Sequence, residues 1–209
     1  ESIPTEDFIT RAPEFAAIIW GLYTQQKQDQ KQYPKVVEFA KVVEWPVIPV
    51  LADMEYEGIK LNGEYLDKFA VELEGIISDI EQQIYGHADQ EFNVGSPSQL
   101  AEILFEKLKL PTAFIKKGKT GYSTAATELD KLRDQHPIID LSTSFRESTK
   151  IKNTYVDTIP KMVDSHSRVH TTFNMTIAPT GRLSSVDPNL QNIPVRTELG
   201  KRVRTAFVA

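Results

Sequence analysis

The chain has 209 residues, 40% of them hydrophobic and 25% charged, with a net charge of -5 and no cysteine. Such a composition is enough for one or two packed units and excludes an intrinsically disordered chain, while the lack of cysteine excludes disulfides and thiolate metal ligands and fits a reducing cytoplasm. No run of about 18 apolar residues is present, and the start, Glu1-Ser2-Ile3-Pro4, has neither an initiator Met nor a signal-peptide pattern, so a soluble protein without membrane insertion is expected.

In chain order, the first predicted element is a helix from Pro13 to about Gln28 with Phe15, Ile18, Ile19 and Leu22 on one side, running into a polar linker at Gln25–Gln32. A short helix from Val47 ends at Gly58, which suits a left-handed C-terminal turn, and Asn62 is a good N-cap for the next element. That element is a long amphipathic helix, with Leu66, Phe69, Ala70, Leu73, Ile76, Ile77, Ile80 and Ile84 recurring every three or four residues up to Gly86. Ser96-Pro97-Ser98-Gln99 reads as a capping box opening a helix whose apolar face is Leu100, Ile103, Leu104 and Leu108. A basic loop from Pro111 to Tyr122 carries Lys116, Lys117 and Lys119, and a short helix spans Ser123 to about Arg133. Pro137 to about Ile159 makes another long helix, ended by Pro160. Arg168–Thr176 and Lys201–Ala209 are rich in β-branched and aromatic residues and are predicted strands. Between them lies a polar, irregular segment, Ala178 to Pro194, too long for a simple hairpin turn; ordered loops of that length are usually functional.

The net charge is unevenly placed. From Ser142 to Ala209 ten Lys or Arg face five acids, a local +5, against -10 for the first 141 residues. A basic region inside an acidic chain is a footprint for a polyanion, since phosphate binding depends on local charge. The four histidines show no metal-ligand spacing, and His170 reads as a structural histidine.

The segment Thr180-Gly-Arg-Leu-Ser-Ser185, with Asp187-Pro-Asn-Leu-Gln-Asn-Ile-Pro-Val-Arg196, closely resembles the signature of family A DNA polymerases. The likeness extends back through Arg168–Asn174, Lys150–Tyr155, Lys119–Thr124, Phe92-Asn93 with Ser96–Leu100, Pro49–Glu55 and Gly58-Ile59. It covers roughly Glu44 to the end and, weakly, the first forty residues. The resemblance implies a mostly α fold with a small β part (α+β): residues 1–43 as the end of an exonuclease-like domain with linker, 44–165 as a helical thumb, and 166–209 as the beginning of a palm. The missing initiator Met and the last residues, Arg204–Ala209, which read as a strand cut in mid-course, lead to the expectation of a piece trimmed at both ends from something longer.

By the same resemblance, Arg182 reaches the minor groove at the primer-terminal pair, where purine N3 and pyrimidine O2 offer acceptors in every correct base pair. Asn189, Gln191 and Asn192 lie near the primer end as amides that both donate and accept, and Arg196 near the template and incoming nucleotide. Lys150, Lys152, Asn153 and Thr154 match the thumb's DNA-contacting stretch, and the spacing of Arg146, Lys150 and Asn153 places these three on one helix face. Lys116, Lys117 and Lys119 sit where a thumb tip meets duplex phosphates. Each has a structural alternative: a salt bridge from Arg182 to Asp187, loop-internal hydrogen bonds for the amides, a solvated face for the cations.

Catalytic residues and metal ligands are expected to be absent, because in the family the first metal-binding aspartate follows the strand reached at Ala209; Asp187 and Glu198 belong to the signature loop. Ala16 and Ala17 stand where an exonuclease wants an acid, so no proofreading is expected. The complete polymerase would use Mg²⁺ and dNTP, this chain primer–template duplex DNA, as a monomer in the bacterial cytoplasm near the nucleoid. Two further readings are a stand-alone, non-catalytic DNA-binding subunit of a split polymerase and a helical protein-interaction module using the Leu66–Ile84 stripe.

Overall fold

A computed structural model describes residues 5–119 and 121–208; Thr120 of the basic loop and Ala209 of the last predicted strand lie outside the described residues. The chain divides into two compact units at Met54/Glu55. The first contains α1 (Thr5–Asp29), which begins before Pro13 and carries that proline inside it, a 3₁₀ turn at Gln30–Gln32, α2 (Pro34–Phe39) and a π-helical turn at Ala40–Glu44. Ile18, Ile19, Trp20 and Leu22 of α1 are exposed. Helix α3 (Trp45–Glu57) follows and ends at Gly58, whose φ of +63° is the left-handed stop expected there. A Cβ at Gly58 would also lie 2.8 Å from the Val169 carbonyl oxygen and 2.9 Å from the His170 ring, so close approach as well as φ requires glycine.

The second unit is organised by one long helix pair. Strand β1 (Ile59–Leu61) leads to Asn62, whose Oδ1 accepts from the Tyr65 amide at 3.0 Å and caps α4 (Gly63–Ala88). At 26 residues α4 is roughly 39 Å long. It packs antiparallel in sequence order against α7, described below, and its apolar stripe is divided between two cores. Leu66, Phe69 and Leu73 join one core, Ile84 and Ala88 the other, and Ile77 packs against both.

The far core is closed by α5 (Pro97–Ala101) and a π-helical turn at Glu102–Lys107 that carries Ile103 and Leu104 inward. Ser96 caps α5 as expected, whereas Gln99 reaches back to the amide of Asn93, at 2.7 Å, instead of that of Ser96. The basic loop is a small hairpin, β2 (Lys117–Gly118) with β3 (Gly121–Tyr122). Helix α6 (Ala126–Leu129) and a 3₁₀ turn at Asp130–Leu132 add Leu129 and Leu132. Helix α7 (Ile138–Ile151) buries Ile138, Ile139 and Phe145 in this core and Ile151 in the other, then passes into a π-helical turn at Lys152–Val156 and a 3₁₀ turn at Ile159–Met162.

The near core rests on the strands. Of the first predicted strand, only β4 (Arg168–Val169) and β5 (Thr172–Asn174) are extended, and they belong to different sheets, because His170 and Thr171 between them are held by bonds to other segments. Strand β6 (Ser184–Val186) lies inside the segment read as irregular and pairs antiparallel with β5, with Phe173 opposite Ser185. The second predicted strand is corrected: Glu198–Thr205 is a helix, α8, and only β7 (Phe207–Val208) is extended. Thr197 caps α8 by accepting from the Gly200 amide at 3.2 Å, and Leu199, Val203 and Ala206 recur at helical spacing against the near core. Gly200 lies so close to the Pro194 carbonyl that any side chain would collide with it. Strands β4, β1 and β7 form one antiparallel sheet in that order. The mostly α architecture with a small antiparallel β part is the one expected.

Candidate nucleic-acid interface

Where α7 ends, the signature loop folds against it. A groove of about 400 Å³ is lined by Lys150, Thr154 and Tyr155 from the helix side and by Pro188, Asn189 and Asn192 from the loop. Four of the residues singled out in the sequence, Lys150, Thr154, Asn189 and Asn192, are thereby brought together across 35 to 42 positions of chain. Lys150 is exposed and makes no ion pair among the described residues. A free ammonium beside fixed amides is what a phosphate or sugar edge requires.

The loop's shape is set by buried hydroxyls. Ser185, fully buried, accepts through Oγ from the amides of Leu190 at 3.1 Å and Gln191 at 3.3 Å. Asn189 Oδ1 accepts from the amides of Gln191 and Asn192, both at 3.2 Å. The Asn189 side-chain oxygen is therefore consumed by the loop, while the residue lines the groove and its NH₂ carries two further donors. Thr171 donates to the carbonyls of Val186 at 2.9 Å and Pro188 at 2.8 Å, across the cis Asp187–Pro188 bond. The Tyr155 hydroxyl donates to the Asn192 carbonyl at 2.6 Å, which fastens loop to helix. Burial raises the pKa of that phenol, so it stays a donor at neutral pH.

The remaining candidates divide into engaged and free. Arg146 turns away from the groove: its guanidinium donates to the carbonyl of Thr124 and, at 3.0 Å, to the Thr124 hydroxyl, and burial lowers its pKa. Lys152 is held by Asp157 at 2.9 Å, which raises its pKa. The π-helical turn that starts at Lys152 brings this i,i+5 pair together, a contact that regular helix spacing does not make. Asn153 is exposed and its carbonyl accepts from the Thr158 hydroxyl at 2.7 Å. Arg182 and Arg196 are exposed, and among the described residues neither has an ion pair; the Arg182–Asp187 bridge is not formed. Gln191 is exposed beside the groove without lining it.

Three comparisons bear on this arrangement. The model of DNA polymerase family A matches residues 63–209. The chain belongs to DNA polymerase family A. Curated relatives include thermostable DNA polymerase I of Thermus thermophilus, 44% identical over 98% of this chain and 24% of its own length. DNA polymerase I of Bacillus subtilis is 39% identical over 99% of this chain and 23% of its own length. The chain thus spans about a quarter of the length of these relatives. A similar solved structure is the POL domain of Pol1 from M. smegmatis in complex with DNA primer-template and dNTP, with a TM-score of 0.75 and 41% identity over 86% of this chain and 32% of that one.

Within this family A chain the tip lysines are a separate group. Lys116, Lys117 and Lys119 are exposed on and beside the β2–β3 hairpin. The Lys117 ammonium lies over the Tyr122 ring, 5.2 Å from its centroid. The amide of Lys116 donates to Glu128, whose carboxylate also takes Lys131 at 2.7 Å and is lowered in pKa, Lys131 being the larger cause. No group of three or more His, Asp or Glu that could hold a metal ion occurs among the described residues, and no helix among them is long and apolar enough to cross a membrane. Sequence reasoning singled out neither Tyr155 nor the hydroxyls of Thr171 and Ser185 as site residues, although all three lie in segments that carry the family likeness.

Proposed function

We propose that this chain grips primer–template duplex DNA for template-directed 5′–3′ synthesis by a family A DNA polymerase. Residues 44–165 act as the thumb, 166–209 begin the palm, and 1–43 are the end of an exonuclease-like domain with its linker. The observation that carries the reading is the groove in which Lys150 and Thr154 meet Asn189 and Asn192. The Lys150 ammonium takes a backbone phosphate, and the side-chain amides of Asn189 and Asn192, carried on the loop that Ser185 and Tyr155 order, contact sugars or base edges near the primer end. Arg182 donates to minor-groove acceptors, reading pair geometry without reading sequence. Arg196 lies toward the template side, and Lys116, Lys117 and Lys119 add phosphate contacts at the far end. A relative solved with primer-template DNA and dNTP supports the same partners here. Mg²⁺ and dNTP belong to the complete enzyme, which works as a monomer in the bacterial cytoplasm near the nucleoid.

Fluorescence anisotropy of the chain on a recessed primer–template and on single-stranded DNA, across a salt titration, tests this. Duplex preference that weakens steeply with salt and falls on Lys150→Ala or Arg182→Ala is expected. A folded protein that binds neither DNA at low salt sinks the reading.

A further inference from the structure

The β5–β6 hairpin carries Arg182 two residues before β6 and the Asn189–Asn192 loop just after it, yet it belongs to a sheet of only two strands. An isolated two-stranded hairpin is marginal in water, so its position must be set by tethers from outside the sheet. Tyr155 is one, through the Asn192 carbonyl. The other comes from the opposite edge. Glu55 Oε1 accepts from the Phe173 amide, in the middle of β5, at 2.5 Å, and the Glu55 carbonyl lies 2.7 Å from His170 Nδ1, which must donate there. Phe173 is paired with Ser185, the residue whose hydroxyl holds the loop amides. One carboxylate therefore fixes the strand whose neighbour orders the loop.

The surroundings hold Glu55 in place. Arg168 Nε donates to the Glu57 carbonyl at 2.6 Å, and His170 Nε2 lies 3.5 Å from Asp164 Oδ2. Asp164 in turn accepts from the amides of Arg168 and His166. The last residues of α3 are thus clamped to the β4–β5 segment from both sides.

We infer that Glu55 is a positioning residue for the duplex-contacting loop: it acts through the Phe173 amide on β5, and through β5 and β6 on Arg182 and the Asn189–Asn192 turn, without touching DNA. It lies outside residues 63–209 that match the family model. The inference rests on the duplex-binding reading above, and its test separates the two.

Glu55→Ala and Glu55→Gln are compared with the unaltered chain for primer–template affinity, thermal midpoint, and hydrogen exchange at the amides of Phe173 and Leu190–Asn192 without DNA. Glutamine keeps an acceptor at the same reach, so Glu55→Gln is expected to bind within about twofold of the unaltered chain. Glu55→Ala is expected to bind about tenfold more weakly, with faster exchange at all these amides, because a hydrogen bond to a charged acceptor is lost. The salt slope stays unchanged, since no phosphate contact is removed. If Glu55→Ala does not fold, Glu55→Asp, one methylene short, replaces it. Affinity and exchange equal to the unaltered chain in Glu55→Ala, or equal weakening in Glu55→Gln, overturns the inference. If the unaltered chain binds no DNA, the function reading fails on its own, and unchanged exchange at Leu190–Asn192 in Glu55→Ala still overturns the positioning role.

Discussion

The two ends of the α4–α7 pair carry cationic surfaces built on different principles. At the near end one exposed lysine, Lys150, stands beside a loop ordered by hydrogen bonds from Ser185, Asn189 and Tyr155, and the flanking cations Arg146 and Lys152 are consumed by Thr124 and Asp157. At the far end three exposed lysines sit on and beside a hairpin of two-residue strands, where the Lys116 amide donates to Glu128 and the Lys117 ammonium lies over the Tyr122 ring. At the near end one free charge stands beside a hydrogen-bonded loop, and at the far end several free charges cluster together. A duplex end needs the first for register and the second for salt-sensitive attraction.

The strongest way to break this contrast is to remove the near core beneath the groove. Phe69 is 1% exposed, and the Arg202 guanidinium lies 4.2 Å from its ring centroid while pairing with Glu72. Phe69→Ala is expected to cost about 3–5 kcal/mol in a urea melt and to abolish duplex preference, because the loop's support collapses with the core. Arg146→Ala should come next, at about 1–3 kcal/mol of stability, since it strips Thr124 of its donor. Its salt slope should match that of the unaltered chain; a slope reduced by about one would show that Arg146 serves DNA after all.

Lys150→Ala is expected to do the reverse: stability within about 0.5 kcal/mol, affinity weakened by about 1 kcal/mol, and the salt slope lowered by about one. Replacing Lys116, Lys117 and Lys119 together by Gln should weaken binding at low salt but leave the ratio of duplex to single-strand affinity unchanged. A loss of that ratio would erase the distinction between the two ends.

The smallest effect is a pH dependence at the far end. The His136 ring packs edge-on to His87 at 5.4 Å and accepts the Ile138 amide through Nδ1, and burial, then the His87 charge, lowers its pKa. The unfolded chain takes up this proton near pH 6.5, about the ordinary histidine value, while the folded chain does so only at lower pH. The unfolded state binds more protons in that window, so this contribution is full above about pH 6.5 and declines as pH falls until the folded value is passed. Denaturant melts between pH 7.5 and 5 should show this shallow slope in the unaltered chain, and His136→Asn should flatten it.

Much of this was legible in one dimension. The α4 stripe, its Asn62 cap and the stop at Gly58 follow from periodicity and backbone preference, and each is found where expected. Helix α8 was not, because Val203 and Phe207 favour strands locally while Leu199, Val203 and Ala206 form a helical face only against the near core. The candidate site was half legible. Spacing on a helix put Arg146, Lys150 and Asn153 on one face, but it carries no information about what lies opposite. Thr124, 22 residues earlier, decides the fate of Arg146, and a π-helical turn decides that of Lys152.

By itself, then, the sequence determined the long amphipathic helix α4 with its cap, the loop signature and, through that signature, membership of DNA polymerase family A. Those depend on neighbours within a few residues or on a contiguous motif. Only the tertiary structure decided which cations stay free and which carboxylate steadies the loop. A side chain's availability depends on the partners that folding delivers to it, and here those partners lie 22 positions away for Arg146 and 118 for Glu55 and Phe173.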